Sequence, residues 1–211
     1  MENAIAFVFQ IAILIFSVVI HEVSHGYAAL LLGDRTALYA GRLTLNPIKH
    51  VDPFGSLILP ILSSLLGGPI FGWAKPVPYN PYNLRNQKWG PAVVGIAGPG
   101  SNFFLAVLAG FLIRFFSSGF GESQFLQNFL IIASVVALIN IFLCIFNMMP
   151  IPPLDGSKVL FAVLPAAWRG MELFLERYGI IILFAFIFFF SRFLIPIVSF
   201  FFEILTGSGF M

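Results

Sequence analysis

Two histidines and a glutamate lie close together near the start of the chain, in the run His21-Glu22-Val23-Ser24-His25. Residues four positions apart leave the same face of a helix, so both imidazoles can reach one zinc ion at about 2.0–2.1 Å. Glu22 projects beside that face, where a carboxylate can take a proton from a zinc-bound water. The spacing therefore predicts a site for one zinc ion per chain, with Glu22 as the catalytic base.

The surroundings of this motif are apolar. Residues 4–20 carry no charge, and apolar residues continue after the motif to position 32. At about 1.5 Å per residue, His21 lies roughly 25 Å along a helix that starts at residue 4, and a bilayer's hydrocarbon core is about 30 Å thick. Ionisable groups at that depth are costly unless metal or water satisfies them, which favours a functional role over histidines that only pack.

A catalytic zinc usually has three protein ligands and one open position. Asp155 is the favoured third ligand because it follows a long apolar segment within a non-helical run. Gly156 permits the sharp backbone path that turns this carboxylate back toward the helices. His50 is an alternative third ligand. The other interpretation is that His50 hydrogen-bonds to a zinc ligand or to a nearby loop. The remaining candidates for the third position are Asp52, Glu122, Glu172 and Glu176.

The composition indicates that the solvent of this chain is a lipid bilayer. Of its 211 residues, 59% are hydrophobic and 9% are charged, and the mean hydropathy is +0.98. Soluble domains are about one quarter charged. The net charge of +2, with no basic run, argues against nucleic acid as a partner. The N-terminus lacks the basic region of a signal peptide, so we expect the first apolar segment to stay in the mature protein.

Apolar segments and turn residues predict a polytopic α-helical membrane protein with about four to six membrane segments in a single domain, residues 1–211. The predicted membrane segments are the zinc-motif helix at 4–32, a re-entrant or partial span at 54–70, spans at 91–116 and 125–149, and a C-terminal segment at 178–205. Arg192 and Pro196 interrupt the last of these, so one kinked span and a tight hairpin both fit it.

Two connecting regions are expected to approach the zinc motif. Residues 35–50 predict a short β-hairpin, because Leu43 and Leu45 alternate with polar residues such as Thr44. The edge strand of such a hairpin could pair with an extended substrate peptide. Residues 150–158 form a loop that carries Asp155.

Basic residues predict the orientation in the membrane. Arg114, near the end of the clear span at 91–116, is the only basic residue that marks the opposite side of the membrane. The basic residues between the first and second clear spans are Arg35, Arg42, Lys49, Lys75, Arg85 and Lys88. Because basic loops stay in the cytoplasm, we expect the N-terminus outside and the site toward the cytoplasmic side.

Further motifs accompany the zinc motif. Asn-Met-Met-Pro occupies 147–150 and Leu-Asp-Gly occupies 154–156, with Gly-Arg-Leu-Thr-Leu-Asn-Pro at 41–47, Gly-Trp-Ala-Lys-Pro-Val-Pro at 72–78 and Ala-Gly-Pro-Gly-Ser-Asn at 97–102. Together they resemble the site-2 protease family of intramembrane zinc metalloproteases, peptidase family M50, in its compact bacterial and archaeal form without a PDZ domain.

The resemblance implies His21, His25 and Asp155 as zinc ligands, Glu22 as the base, and Asn140 facing the site. It implies hydrolysis of peptide bonds within or near transmembrane segments of substrate proteins, in a prokaryotic cell membrane, by a chain without a soluble regulatory domain. The sequence does not indicate an oligomeric state. A membrane zinc transporter and a catalytically silent helix-binding protein are the competing classes of function.

Three asparagines are candidates for contacting the substrate or the reacting groups. Asn140 and Asn147 are seven residues apart and share a helix face. Asn140 could bond the oxyanion or the substrate backbone, or join two helices instead. Asn102 lies on a face of small residues that could admit a substrate helix or pack internally. With Thr44, Asn102 and Asn147 are the predicted substrate-binding residues.

Overall fold

The described part of the chain is mostly helical. A computed structural model describes residues 2–52, 55, 58, 74–117 and 123–207. Its helices are α1 (Glu2–Leu31), α2 (Thr36–Tyr39), α3 (Gly90–Ser117), α4 (Gln124–Asn147), α5 (Gly156–Val163), α6 (Arg169–Phe190) and α7 (Leu194–Thr206). Short 3-10 turns occur at Pro47–His50, Pro81–Asn83, Ala166–Trp168 and Ser191–Phe193.

Four helical stretches are long and apolar enough to cross a membrane: Ile5–Leu31, Gly90–Ser117, Gln124–Asn147 and Ala166–Thr206. The prediction of a multi-pass α-helical membrane protein is therefore confirmed. The predicted re-entrant or partial span at 54–70 lies outside the described residues, apart from positions 55 and 58.

Small side chains bring α3, α4 and α7 together. Ala106 and Ala109 of α3 pack with Ala137 of α4, and Phe202 of α7 lies in the same buried cluster. A β-carbon on Gly110 would lie 2.8 Å from the carbonyl oxygen of Leu205, so the backbones of α3 and α7 are nearly in contact. Such close approach gives membrane helices their van der Waals packing.

The segment that contains α6 and α7 joins opposite ends of the bundle. Gly179 of α6 lies against Pro152, in the loop that leads to Asp155. At the far end of α3, Arg114 donates to the carbonyl oxygens of Leu205 and Ile204 in α7. This path fits one kinked span better than a hairpin, whose ends would lie together. The helix breaks at Ser191–Phe193 and resumes with a proline in the first turn of α7, where proline is tolerated.

The predicted β-hairpin at 35–50 is wrong. The chain instead forms the helical turn α2, in which the Ala40 N–H bonds the carbonyl of Thr36 and the Arg42 N–H bonds that of Ala37. Gly41, with φ +63°, ends this turn in a left-handed conformation that glycine adopts readily.

The alternation of Leu43 and Leu45 has a different cause from strand pairing. A β-carbon on Gly26 would lie 2.5 Å from the Leu43 side chain, so Leu43 is docked onto α1, while Leu45 is exposed. The alternation over residues 42–46 is a strand signal, but one leucine docked on a helix produces the same pattern. Thr44 thus belongs to a turn, where its hydroxyl accepts from the Asn46 N–H at 3.2 Å, and not to an edge strand.

A buried carboxylate fastens the segment before α3 to the end of α1. Asp34 is fully buried, and it accepts from Thr36 Oγ1 at 2.6 Å, from the Asn80 N–H at 2.7 Å and from Asn83 Nδ2 at 2.9 Å. Burial raises the pKa of this carboxyl, but these hydrogen bonds, with Thr36 first, outweigh it and leave the pKa below its ordinary value. The ionised form is therefore the one that holds the segment.

The segment before α3 begins with residues 74–80, which form neither helix nor strand. Arg42 and His50 hold the start of this stretch. Arg42 Nη2 donates to the carbonyl of Lys75 at 2.7 Å, and the Lys75 N–H donates to the carbonyl of His50 at 2.9 Å. We refer to residues 74–80 as the extended segment. It is fixed at both ends by groups that follow α1.

Asp34→Ala should lower the free energy of unfolding by about 3 kcal/mol at neutral pH, because hydrogen bonds to charged groups contribute about 1.5–3 kcal/mol each. Thermal unfolding in detergent measures it. The native pKa is lowered, so this stabilisation is present above the unfolded carboxyl pKa of about 3.9 and is lost as pH falls through the native value. The difference from wild type should shrink accordingly in acid. Equal stabilities at neutral pH would contradict this role.

Candidate metal centre

The two histidines of α1 are each oriented by a hydrogen bond at Nδ1. His25 Nδ1 lies 2.6 Å from the carbonyl oxygen of Val94, and His21 Nδ1 lies 2.6 Å from Asn102 Oδ1. Both partners are oxygens that only accept, so each Nδ1 must carry the hydrogen. The lone pairs of both imidazoles are then at Nε2, and the two Nε2 atoms lie 3.0 Å apart.

Asp155 completes a triangle of donor atoms. Its Oδ2 lies 3.1 Å from Nε2 of His21 and 3.1 Å from Nε2 of His25. Ligands of a tetrahedral zinc at about 2.0–2.1 Å are about 3.3 Å apart, close to these separations. Two imidazole nitrogens and one carboxylate oxygen also form a donor set typical of catalytic zinc. Within the described residues, only these three side chains form such a group.

Two glycines of α3 leave room for this triangle. A β-carbon on Gly98 would lie 2.5 Å from His25 Nε2 and 2.6 Å from His21 Nε2. A β-carbon on Gly95, one turn earlier, would lie 2.9 Å from the carbonyl oxygen of Asp155. The two glycines form a cradle on α3 against which the ligands rest, and any larger residue would fill it.

Gly156 lets the loop at 150–155 return toward the bundle. A β-carbon there would collide with the carbonyl groups of Met148 and Met149, because the chain passes its own preceding turn. The sequence predicted a sharp path at this glycine. The structural reason is close approach and not a left-handed backbone, since the glycines with positive φ among the described residues are Gly33, Gly41 and Gly207.

Glu22 faces a cavity of about 200 Å³ together with His21, His25 and Asp155. The extended segment forms one wall through Pro76, Val77 and Tyr79. The Val77 N–H donates to Glu22 Oε2 at 2.8 Å. One carboxylate oxygen of Glu22 is therefore fixed by the backbone, beside the donor triangle.

Lys158 Nζ lies 2.8 Å from Asp155 Oδ1, and this ion pair favours the charged form of the carboxylate. The carboxylate is ionised at neutral pH. An anionic oxygen beside two imidazole lone pairs is an arrangement that a divalent cation stabilises.

Residues 120–190 match the sequence family described as Peptidase family M50. A Bacillus subtilis protein named "Putative zinc metalloprotease YwhC" is 38% identical over 175 residues, which cover 80% of this chain and 75% of the relative. The chain belongs to peptidase family M50. This M50 member is a zinc-dependent membrane protease.

More distant relatives cover less of their own length. "Putative zinc metalloprotease Rip2" of Mycolicibacterium smegmatis is 35% identical over 162 residues, 73% of this chain and 56% of the relative. The Rip2 of Mycobacterium tuberculosis H37Rv is 29% identical over 154 residues, with the same coverage. This chain therefore spans little more than half of each Rip2. No solved structure matches it.

A chain of buried polar groups lies behind His21 in this M50 protease. Asn102 Nδ2 donates to Asn140 Oδ1 at 2.8 Å, and Asn140 Nδ2 donates to Ser17 Oγ at 2.9 Å and to the Val136 carbonyl at 2.9 Å. Asn102 and Asn140 are completely buried. Both lie inside the bundle and not on the cavity wall.

The other predicted residues lie in different places. Asn147 lines the cavity and donates to the Leu143 carbonyl at 2.9 Å. His50 is away from the donor triangle, and its Nε2 donates to the Thr44 carbonyl at 2.9 Å. Glu172 pairs with Arg169 at the surface. Glu122 lies outside the described residues.

Sequence reasoning missed four contributors to the site. Ser17 precedes His21 by four residues, a spacing that could have indicated a shared face. Lys158 follows Asp155 by three residues, within reach of an ion pair. Val94 and Val77 act through their backbone groups, which carry no signal in the side chain.

Gly98→Ala should weaken zinc binding about tenfold or more, because the added methyl overlaps both imidazoles and a loss of 1.4 kcal/mol is already tenfold. Gly100→Ala is the matched control, since a β-carbon there has no neighbour within 4 Å. Both changes give α3 the same gain in helix propensity, so this effect cancels. Zinc affinity, measured by competition with a chromophoric chelator, should separate them. Equal affinities in the two variants would refute the cradle.

Proposed function

We propose that this M50 protease hydrolyses peptide bonds within or near transmembrane segments of membrane-protein substrates. The observation that carries the proposal is the donor triangle of His21, His25 and Asp155, which lines the same cavity as Glu22. The two histidines and Glu22 lie within the span Ile5–Leu31. His21 precedes the end of α1 by ten residues, or about 15 Å of helix. A peptide bond must enter the membrane region to reach it.

His21, His25 and Asp155 would hold the zinc ion, which when bound supplies a Lewis acid that activates water and polarises the scissile carbonyl. Glu22 accepts a proton from the attacking water and returns it to the leaving nitrogen. Two observations support this role of Glu22: its carboxylate faces the same cavity as the ligands, and it is not one of them.

The Val77 N–H positions the base. It occupies Glu22 Oε2 at 2.8 Å, so Oε1 is the oxygen directed to the reacting water. Without this donor the side chain would sample other rotamers, and the fraction of productive encounters would fall. The extended segment, anchored by Asp34 and Arg42, thus supplies a fixed backbone donor to the reaction.

Three buried groups position His21. Asn102 fixes its tautomer, Asn140 fixes the amide orientation of Asn102, and Ser17 fixes Asn140. This gives Asn140 a role through Asn102. Direct contact with an oxyanion would require Asn140 to release Ser17 or Val136, to which its amide hydrogens are donated. Asn147 faces the cavity and is the asparagine suited to bind the substrate backbone.

The placement of charge supports a site that opens toward the cytoplasm of a prokaryotic cell. The segments rich in lysine and arginine, 35–49 and 75–88, connect the end of α1 to the start of α3, whereas Arg114 lies at the opposite end of α3. By the preference of basic loops for the cytoplasm, the N-terminus is outside and the cavity is nearer the cytoplasmic surface. Water then reaches the site from that surface.

Glu22→Gln should reduce cleavage of a membrane-embedded reporter by roughly 10²- to 10⁴-fold, the usual contribution of a general base. The zinc content should be unchanged, because Glu22 is outside the donor triangle. Purified protein in detergent, with cleavage products resolved by mass spectrometry, measures both. Glu172→Gln removes a surface carboxylate by the same change and should cleave normally. Undiminished cleavage by the Glu22 variant would overturn the assignment.

Val77→Pro should lower kcat about 10- to 100-fold, because it removes one hydrogen bond to a charged acceptor, worth about 1.5–3 kcal/mol. Prolines at 76 and 78 already restrict this backbone, so the local cost of a third is small. Val77→Ala keeps the N–H and is the control. Steady-state kinetics with the reporter should show a loss of kcat in the proline variant alone, at constant zinc affinity. If alanine and proline cost the same, the N–H does not position the base.

A further inference from the structure

Lys158 is a cation in the cavity wall that the proposed mechanism does not use. Its Nζ lies 2.8 Å from Asp155 Oδ1. The other carboxylate oxygen, Oδ2, faces the two imidazoles at 3.1 Å. The two oxygens of Asp155 therefore have different partners: one is directed to the donor triangle, and the other is held by an ammonium group.

The lysine is itself held in place by its surroundings. A β-carbon on Gly95 would lie 3.2 Å from both Cβ and Cδ of Lys158, so the apolar stem lies along the glycine cradle of α3. Its Nζ lies 5.5 Å from the ring centre of Tyr79, within the range of a cation–π interaction. A lysine normally has many rotamers. Here three contacts, from α3, the extended segment and Asp155, restrict it.

We propose that Lys158 is a positioning residue that makes Asp155 a one-oxygen ligand of zinc. By occupying Oδ1, it leaves Oδ2 as the only oxygen that can enter the coordination sphere. A carboxylate that binds through both oxygens would fill a position that a catalytic zinc keeps open for water and substrate. This inference rests on the zinc ligands of the proposed function and adds what fixes the number of atoms that the third ligand supplies.

The positive charge of Lys158 disfavours a nearby zinc ion, which indicates that the role of this residue is geometric. An ammonium group near a divalent cation repels it, so a residue that served only zinc affinity would not be positive. The repulsion is offset because the ammonium donates to the carboxylate between them. Partners of metal-ligating carboxylates commonly change metal affinity or activity by 10- to 100-fold when removed. When Lys158 is removed, we expect the coordination geometry and kcat to change more than the metal affinity does.

The test uses the full chain with Co²⁺ in place of zinc, because the visible absorption of Co²⁺ reports the number of ligand atoms. Lys158→Met keeps the apolar stem and removes the donor. It should show a roughly twofold or greater loss of molar absorption as Asp155 binds through both oxygens. Lys158→Arg keeps a charged donor and should retain most of the wild-type spectrum. Lys88→Met removes a lysine that contacts Trp89 and should match wild type.

Kinetics with the zinc enzyme give the second readout. Lys158→Met should lose about tenfold in kcat with little change in KM, as expected when an open coordination position is filled. A wild-type Co²⁺ spectrum in this variant would overturn the proposal, even if thermal stability fell, because a purely structural lysine moves stability alone. If Lys158→Met does not purify as a folded protein, Lys158→Leu, which is also apolar and lacks a donor, carries the same comparison. The spectrum is independent of cleavage, so an inactive wild type would refute the proposed function without deciding this one.

Discussion

A buried N–H group must find an acceptor inside an apolar bundle, and this requirement determines the geometry of the site. Each imidazole of α1 directs its Nδ1–H to an oxygen of α3, His25 to the Val94 carbonyl and His21 to Asn102. Both Nε2 atoms are then directed to the same point. In the other tautomer the Nδ1 lone pair would face an oxygen lone pair at 2.6 Å in a low dielectric, so that tautomer is disfavoured. The metal site is thus defined before any metal binds.

The same requirement explains why α3 has glycine where it meets the site. The Val94 carbonyl can accept from an imidazole only if α3 lies close to α1, and Gly98 removes the side chain that would keep them apart. Gly95 extends this close approach to the Asp155 loop. Glycine in the middle of a helix costs about 0.5–1 kcal/mol relative to alanine. That cost is accepted here because three polar ligands must share a space that one methyl group would fill.

The sequence predicts the parts of this protein that have a strong periodic signal. Hydropathy is sufficient for the long spans, and the i, i+4 spacing of His21 and His25 gives the centre of the site. The hairpin prediction at 35–50 was wrong because the alternation over residues 42–46 cannot distinguish strand pairing from one leucine docked on α1. Backbone partners such as the Val77 N–H and the Val94 carbonyl are invisible in sequence, since any residue offers them. The pairing of Asn102 with Asn140 depends on helix rotation, which short-range patterns do not fix.

The extended segment connects Glu22, the proposed base, to Asp155, the proposed third ligand. Its Val77 N–H holds Glu22, and two residues later the Tyr79 ring lies beside Lys158, which holds Asp155. Asp34 and Arg42 anchor the segment outside the membrane-spanning part of α1. A displacement of this short stretch would therefore disturb the base and the carboxylate ligand together, while the histidines, held by α3, would keep their positions. The histidines are thus held by contacts between two membrane helices, whereas the seven residues of the extended segment contact Glu22 and Lys158. Asp155 is also supported from the other side, because Gly95 of α3 lies against its carbonyl oxygen and against the Lys158 stem.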